Sequence, residues 1–434
     1  MLADLVALSA SGDKDRLVAI VGRKVAGEIC RLYERAQQEN FLGGFYRSAI
    51  ESDQIQLPSL TGKGTTSCSK SFYLDEGCFI YFEDGELSFY VVQVRRFFDG
   101  IYLPSFGLFV GRHLSSVVGQ VKKFASKLNE CRGVVDAYLS GCNKSCRFLG
   151  GMVCQRLPYH YFYDVMPGVH HALQAVSQPN KKLLTIKGAS YLDLEKFYDL
   201  SVEEFAIDRN KLFYVAEGFF ISLLRNDLYD RKLVHVELDR HLANTVRVDK
   251  KNNPRLVLDG NRPVVWLGVM AGKRAWLEQC EALSALIELI IDYYGKPFFI
   301  FDGLTAPVGQ SLRSGIHDEL IGRVVGSCKA KFSYINLNGA GSAEKLYYAS
   351  LCDFFICDAA TSSMYVARML NVPGVAYSVP QAKITGHIHK NTNFYPSQRV
   401  AALDSGRSWD YTDFSIDPKD FARFVMGDMA RRVK

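Results

Sequence analysis

Two neighbouring cations, Lys273 and Arg274, stand where an apolar run gives way to a helical pattern. They lie in the loop Leu267-Gly-Val-Met-Ala-Gly-Lys-Arg-Ala-Trp276, between a predicted strand over 263–269 and a predicted helix over 276–294. Cations at a strand-to-helix turn can bind a diphosphate and offset the charge that develops on it as it leaves. A solvated pair of charges in a surface loop is the alternative, because most charged side chains face water.

Residues 353–377 predict a strand, a tight turn, a helix and a second strand. The first strand ends at Asp358, and hydroxyl side chains follow where the helix begins. These hydroxyl residues are Thr361, Ser362 and Ser363. The first turn of a helix has backbone N–H groups without helical partners and the positive end of the helix dipole, so it can bind a phosphate. The segment therefore predicts an anion site.

Acidic residues stand near the ends of two further predicted strands. Asp302 follows the strand over 297–301 and could line a nucleobase pocket, although a turn-forming role is the alternative. Glu344 begins a helix after the glycine-rich turn at 339–341 and could accept hydrogen bonds from ribose hydroxyls. An ordinary helix start, with Ser342 as its cap and Glu344 favourable to the dipole, accounts for the same residues.

One candidate for acid–base chemistry lies in the N-terminal half, in Arg156-Leu-Pro-Tyr-His-Tyr-Phe-Tyr-Asp164. His160 and Asp164 are four residues apart, so they share one face if a helix begins at Pro158. A carboxylate beside an imidazole orients it and makes it more basic, and an inverting transferase needs such a base to deprotonate the acceptor hydroxyl. A half-buried aromatic helix whose polar tips find local partners is the alternative.

The segments around Lys273 and Asp358 together resemble the donor domain of GT-B glycosyltransferases, in particular the bacterial heptosyltransferases that build lipopolysaccharide. Those enzymes have a similar Lys-Arg-Trp sequence in the equivalent loop. The resemblance covers about residues 260–380. Two features differ from the heptosyltransferase pattern. After Asp358 the chain has Ala360-Thr-Ser-Ser-Met-Tyr365, where the family usually has Gly-Pro-Met-His, and it is predicted to open with helices where the family opens with a strand.

The resemblance implies an α/β fold of two Rossmann-like domains that face each other across a cleft. Alternating strands and helices in the C-terminal part independently predict a parallel sheet. We expect an acceptor-side domain over 1–250, irregular and with a β-hairpin insertion at 79–92, and a nucleotide-sugar-binding domain over 251–434. A linker is predicted at 249–254, where polar residues precede a proline.

The implied activity is transfer of a sugar from a nucleotide-sugar donor to a bacterial surface glycan or glycolipid, inverting and metal-independent, with no cofactor beyond the donor. Three alternatives stay open. They are a protein glycosyltransferase acting on an adhesin or flagellin, a nucleotide-sugar epimerase, and a non-catalytic nucleotide-sugar-binding module. No Asp-x-Asp metal motif stands in a suitable loop. Glu237-Leu-Asp239 comes nearest, and it is predicted to form the polar face of a strand.

Composition excludes some classes of protein. The chain has 434 residues, 48% hydrophobic, with a net charge of +6, which fits two folded domains and does not indicate nucleic-acid binding. The 11 cysteines are spread along the chain, and no apolar run reaches the length of a membrane span. We therefore expect a reduced, cytoplasmic protein, with peripheral contact to the inner membrane as an option.

Overall fold

The computed structural model describes residues 5–38, 40–62, 64–112, 114–140, 147–177, 181–225, 231–252, 260–312, 315–382, 387–403 and 411–433. The chain divides into two compact units, Met1–Leu238 and Asp239–Lys434. This division falls within the helix Arg231–Asn252. The predicted linker at 249–254 is therefore wrong in its first four residues, which are helical, and its last two lie outside the described residues.

The N-terminal unit contains a seven-stranded sheet with the order β1-β7-β6-β5-β4-β3-β2. Its strands are β1 Val6–Ser9, β2 Ile55–Pro58, β3 Thr65–Leu74, β4 Gly77–Asp84, β5 Leu87–Gln93, β6 Gly100–Leu103 and β7 Leu108–Gly111. The predicted hairpin is confirmed as β4 and β5, which are paired antiparallel. The predicted helical opening is wrong, because β1 precedes the first helix and pairs parallel with β7.

A second sheet of this unit has four parallel strands in the order β10-β9-β8-β11. They are β8 Arg147–Val153, β9 Leu183–Ile186, β10 Val202–Phe205 and β11 Gly218–Ser222. When these four strands are numbered by their order along the chain, their order across the sheet is third, second, first, fourth. The direction of winding therefore reverses between β8 and β11. The strand predicted at 212–215 is wrong: Phe213 forms an isolated bridge to Tyr73.

Helices cover both sheets of the N-terminal unit. The helix Ser115–Glu130 lies on the seven-stranded sheet, where Phe124 stacks on Phe79 at 3.7 Å between ring centroids. A composite helix follows β8 and consists of an α-helical turn Pro158–His160, a π-helical turn Tyr161–Val165 and an α-helix Met166–Gln174. The remaining helices are Lys14–Val21, Arg23–Ala36, Phe41–Ser52, Arg132–Ser140 and Leu194–Tyr198.

The C-terminal unit is built on a six-stranded, entirely parallel sheet with the order β14-β13-β12-β15-β16-β17. Its strands are β12 Val264–Gly268, β13 Phe298–Asp302, β14 Ser333–Asn336, β15 Phe354–Asp358, β16 Gly374–Tyr377 and β17 Thr392–Phe394. Its helices are Gln279–Tyr294, Gly315–Ser327, Ser342–Ala349 and Pro418–Arg432. The strand order is that of a doubly wound Rossmann sheet, so the predicted α/β fold class is confirmed.

Short apolar runs form the central strands of this sheet because both faces are covered. Every residue of β12 and β15 is buried. An antiparallel pair, β18 Val400–Ala402 and β19 Phe414–Ile416, lies beside the helix Pro418–Arg432. In the part of the chain that the structure describes, no helix has the length and apolar character needed to span a membrane.

Candidate functional site

The winding of the C-terminal sheet reverses between β12 and β15, and in sheets of this kind ligands bind beyond the carboxyl ends of the strands at such a point. The last residue of β12 is Gly268, which lies directly against β15. A Cβ atom there would stand 2.5 Å from the Cβ of Cys357 and 3.4 Å from that of Ser362. The absence of a side chain therefore lets the loop after β12 meet the turn after β15, as the sequence predicts.

Arg274 is held in an unusual conformation at this point. Its φ is +51°, in the left-handed region that non-glycine residues rarely occupy. Its side chain is 15% exposed, and one terminal nitrogen, Nη2, lies 3.4 Å from Oδ2 of Asp358. Such backbone strain concentrates at functional sites, where the surrounding structure imposes it.

Two contacts impose the path of this loop. The buried amide of Gln279 accepts a hydrogen bond from the backbone N–H of Met270 at 2.9 Å and donates to its carbonyl at 3.1 Å. On the far side, the backbone N–H of Ala275 donates to Oδ1 of Asp413 at 2.8 Å. The fold thus holds the main chain on both sides of Arg274, and the guanidinium lies beside the end of β15.

Lys273 lies apart from its neighbour. Its side chain is exposed, and its ammonium stands 4.8 Å from the centre of the Tyr411 ring. The adjacent cations predicted as one phosphate-binding pair therefore have different surroundings. Arg274 faces Asp358, whereas Lys273 faces water and an aromatic ring.

The turn after β15 has the predicted hydroxyl residues, but two of them stabilise the turn itself. Ser362 donates a hydrogen bond to the carbonyl of Asp358 at 2.9 Å, and Ser363 donates to that of Ala360 at 2.8 Å. Thr361 is partly exposed at the start of a 3₁₀ turn, Thr361–Ser363, which continues as a π-helix, Met364–Met369. Short π-helical segments are rare in proteins as a whole, but those that occur often lie at functional sites.

Two histidines near this turn were missed by sequence reasoning: His389 contacts the turn, and the ring centroid of His387 lies 6.0 Å from that of His389. Nε2 of His389 is 3.0 Å from the hydroxyl oxygen of Ser363. Burial, with the neighbouring His389 and the charges of Arg274 and Arg368, lowers the pKa of His387 to about 4. Burial lowers the pKa of His389 to about 4. Both imidazoles are therefore neutral at pH 7. The alternation His-Ile-His in 387–389 is the signal that could have found them.

Asp239 is an acidic residue that the sequence placed wrongly. It lies in the helix Arg231–Asn252, and not in a strand. Its Oδ1 accepts from Nε of Arg368 at 3.2 Å, and its Oδ2 accepts from Nζ of Lys390 at 2.9 Å. The side chain of Arg368 has no exposure, whereas that of Lys390 is 30% exposed.

The charged side chains around the turn after β15 favour the binding of an anion. The cations Arg274, Arg368 and Lys390 face the two carboxylates of Asp239 and Asp358, which leaves a surplus of one positive charge. The first turn of the helical segment adds backbone N–H groups and the positive end of its dipole. This group of residues, with Ser363, His387 and His389, is called the switch-point cluster below.

Asp302 and Glu344 have surroundings different from those of the switch-point cluster. Oδ1 of Asp302 accepts a hydrogen bond from Nζ of Lys345 at 2.5 Å, and both side chains are almost fully buried. Nζ also donates to the carbonyls of Gly303 and Leu304, at 3.0 and 2.8 Å. Burial raises the pKa of Asp302 and lowers that of Lys345, and their ion pair opposes both shifts. A nucleotide contact by Asp302 stays a prediction.

Glu344 is exposed in the first turn of the helix Ser342–Ala349, which leaves it accessible to a ligand. Gly341 occupies the N-cap position of this helix, so the expectation that Ser342 is the cap is wrong. The Ser342 hydroxyl instead lies 2.8 Å from the hydroxyl of Tyr365 in the π-helical segment. The role of Glu344 at a ribose stays a prediction.

The low pKa values of His387 and His389 predict a pH-dependent stability of the C-terminal unit. A histidine with a pKa near 6.5 when unfolded and about 4 when folded contributes stability that is complete above pH 6.5 and declines as the pH falls toward 4. We expect a loss of about 2 kcal/mol per histidine between pH 7.5 and 5.0. Urea unfolding of wild type and of His387→Gln/His389→Gln at both pH values measures it. An equal pH dependence in the two proteins would contradict the neutral state of these half-buried rings.

In the N-terminal unit, the predicted pairing of His160 with Asp164 is confirmed. The helix begins at Pro158, and Nδ1 of His160 lies 2.7 Å from Oδ2 of Asp164. Both residues follow β8, at the carboxyl edge of the parallel sheet and beside its own winding reversal between β8 and β11. The His160 side chain is 28% exposed and that of Asp164 is 11% exposed.

Two arginines that the sequence did not single out also face Asp164. Nε of Arg225, which follows β11, lies 2.8 Å from its Oδ1, and Nη1 of Arg96 lies 3.7 Å from the same atom. Burial tends to raise the pKa of Asp164, but the His160 hydrogen bond and the two guanidinium charges hold it below its usual range. Asp164 is therefore a carboxylate at neutral pH. An ionised carboxylate only accepts hydrogen bonds, so Nδ1 of His160 donates. In the neutral form of the ring, the lone pair is then on Nε2.

Comparisons with known proteins do not identify the family of this chain. No family model and no curated protein matches the sequence. Among solved structures, the chain is similar to the E. coli heptosyltransferase WaaC with ADP, at 13% sequence identity and a TM-score of 0.29, over 44% of this chain and 48% of that one. The chain thus spans about half the length of that structure. A TM-score this low identifies neither a family nor a function.

Proposed function

We propose that the protein is a glycosyltransferase whose C-terminal unit binds a nucleotide-sugar donor at the switch-point cluster. The observation that carries the proposal is the convergence of Arg274 and the Asp358–Ser363 turn where the winding of a Rossmann sheet reverses. A doubly wound sheet places a nucleotide at this position. The surplus positive charge and the start of the helical segment suit its phosphates.

Within this site Arg274 would bind the diphosphate directly. A guanidinium makes strong, charge-assisted hydrogen bonds to phosphate oxygens and can offset the charge that develops on the leaving nucleoside diphosphate. The Thr361–Ser363 turn would add backbone N–H groups. Lys390, with its partly exposed side chain, is a further candidate for phosphate contact. Glu344, exposed on the neighbouring helix, would contact the ribose.

His160 would act as the general base in the N-terminal unit. Asp164 fixes Nδ1 of its ring, which leaves Nε2 to accept the proton of the acceptor hydroxyl. A base of this kind fits an inverting displacement. The acceptor class implied by the resemblance of residues 260–380 is a bacterial surface glycan or glycolipid, and the protein would act in the cytoplasm or at the inner face of the membrane.

A panel of nucleotides and nucleotide sugars (UDP, GDP, ADP, CMP and dTDP forms) tests the proposal, with and without magnesium. Thermal shift identifies the donor base, because a ligand at 100 times its Kd adds about 2.7 kcal/mol of stability. Turnover is then followed as release of the free nucleotide (the nucleoside diphosphate, or CMP from a CMP-sugar) with a surface-glycan fraction as acceptor. No stabilisation by any member of the panel would overturn the donor site. Binding without any release, with or without acceptor, would leave a non-catalytic module.

Arg274→Ala is expected to weaken nucleoside diphosphate binding by roughly 10- to 100-fold, because it removes a charge-assisted contact to phosphate. Lys273→Ala, at the adjacent exposed position, is the matched control and should change the Kd by less than about 3-fold, since exposed charges contribute little. Isothermal titration with the nucleotide identified by the panel measures both. Equal effects of the two substitutions would contradict the distinct role of Arg274.

A further inference from the structure

The main chain at Arg225 joins three segments around the His160–Asp164 pair. Its backbone N–H donates to the carbonyl of Asp164 at 2.7 Å, and its own carbonyl accepts from the N–H of Phe97 at 3.2 Å. Gly168 of the composite helix is pressed against the same stretch, since a Cβ there would lie 2.9 Å from the nitrogen of Arg225. The end of β11 is therefore fixed against the helix that contains His160.

The side chain of Arg225 completes a line of contacts to the imidazole. Nε of Arg225 faces Oδ1 of Asp164 at 2.8 Å, and the other carboxylate oxygen faces Nδ1 of His160 at 2.7 Å. Both side chains are largely buried, each 11% exposed. Each carboxylate oxygen thus has its own neighbour: Oδ1 forms a close ion pair with the Arg225 guanidinium, and Oδ2 contacts the imidazole. One χ2 rotation of Asp164 would change both contacts.

We propose that Arg225 is a positioning residue of the transferase, acting on His160 through Asp164. The proposal rests on the proposed function, in which His160 is the base. Arg225 attracts one carboxylate oxygen of Asp164 and leaves the other oxygen directed at His160, and Asp164 in turn sets the tautomer and direction of the imidazole. An imidazole free to turn about χ2 would present the wrong nitrogen or the wrong angle to the acceptor hydroxyl, and misplacement of this kind slows the chemical step.

Arg96 has a different place in the arrangement. Its Nη1 lies 3.7 Å from Oδ1 of Asp164 and 2.7 Å from the carbonyl of Arg95, to which it donates. It contributes charge to Asp164 at a longer distance and does not define the direction of its carboxylate. The geometry therefore assigns the positioning role to Arg225 and not to both arginines.

A double-mutant cycle on kcat tests the proposal. Arg225→Met should lower kcat by roughly 10- to 100-fold with the KM for the nucleotide-sugar donor unchanged, since a misplaced catalytic group costs rate and not donor binding. Asp164→Asn should lower kcat at least as much. In the Asp164→Asn background, Arg225→Met should produce no further loss of kcat, because residues that act as a unit are not additive.

Controls separate positioning from folding. Arg225→Lys keeps the positive charge near Asp164 and should restore part of kcat, and it replaces the methionine variant if that one does not fold. Arg209→Met removes an arginine of the same unit that pairs with Asp75 and Glu76, and it should leave kcat unchanged. Additive losses from Arg225→Met and Asp164→Asn would overturn the proposal. Near-normal turnover of His160→Ala would instead overturn the base assignment on which it rests.

Discussion

Replacement of His160 by alanine is expected to slow sugar transfer by roughly 10²–10⁴-fold, the usual contribution of a general base. The reason lies in the geometry of the ring. Asp164 accepts from Nδ1 at 2.7 Å, so Nε2 is the nitrogen left for the acceptor hydroxyl, and the side chain retains 28% exposure through which an acceptor can reach it. The measurement is kcat for release of nucleoside diphosphate at saturating donor and acceptor.

The effect should be confined to the chemical step. Donor affinity should not change, because the proposed donor site belongs to the other unit. His171→Ala is a suitable control, since His171 lies in the same composite helix and is likewise partly buried. A folded His160→Ala protein that turns over within a few-fold of wild type would remove His160 from the mechanism, and the lone pair on Nε2 would then have no catalytic meaning.

Sequence patterns predicted the C-terminal sheet well for a physical reason. Strands buried on both faces are short, continuous apolar runs, and parallel strands are separated by helices with a clear apolar periodicity. The strands β12, β13 and β15 were therefore predictable to within about two residues. The order of the strands was not predictable in this way, because it depends on which edges pair, and no local pattern encodes that choice.

The N-terminal unit shows where such patterns fail. The short strand β1 has one buried residue in four, so its sequence lacks the signal of a buried run. Residues 233–239 alternate like a strand yet lie in a helix. The alternation was misleading because tertiary contacts decided the outcome: Asp239 is 2% exposed and paired with two cations that are far away in sequence.

For the candidate sites, the sequence predicted local pairs and missed distant ones. His160 and Asp164 were predictable because helical spacing brings them together, and Arg274 because it follows a strand. Arg225 was not, since its contact with Asp164 depends on the pairing of β11 with β8. The contact of His389 with Ser363 joins a loop to a turn 26 residues away. Lone loop residues give no periodic signal by which such contacts could be found.

The second large effect concerns the buried pair of Asp302 and Lys345. Lys345→Met is expected to lower the free energy of unfolding of the C-terminal unit by roughly 3–5 kcal/mol, because it leaves a buried carboxylate without its partner. Nζ of Lys345 has three acceptors within 3.0 Å and no solvent exposure, so no water can replace it without a change in packing. All three tryptophans of the chain lie in residues 239–434, so fluorescence during urea unfolding monitors this unit.

Two further variants test whether the Asp302–Lys345 pair stabilises the fold or contacts the donor. Lys419→Met replaces an exposed lysine of the same unit and should change stability by no more than about 0.5 kcal/mol. Asp302→Asn/Lys345→Met removes both charges and should recover much of the loss, since the penalty comes from the unpaired charge. If the folded double variant binds nucleotide as tightly as wild type, Asp302 stabilises the end of β13 and does not contact the donor. If it folds but loses nucleotide affinity, the predicted donor contact of Asp302 holds, and burial beside Lys345 prepares that carboxylate for a ligand.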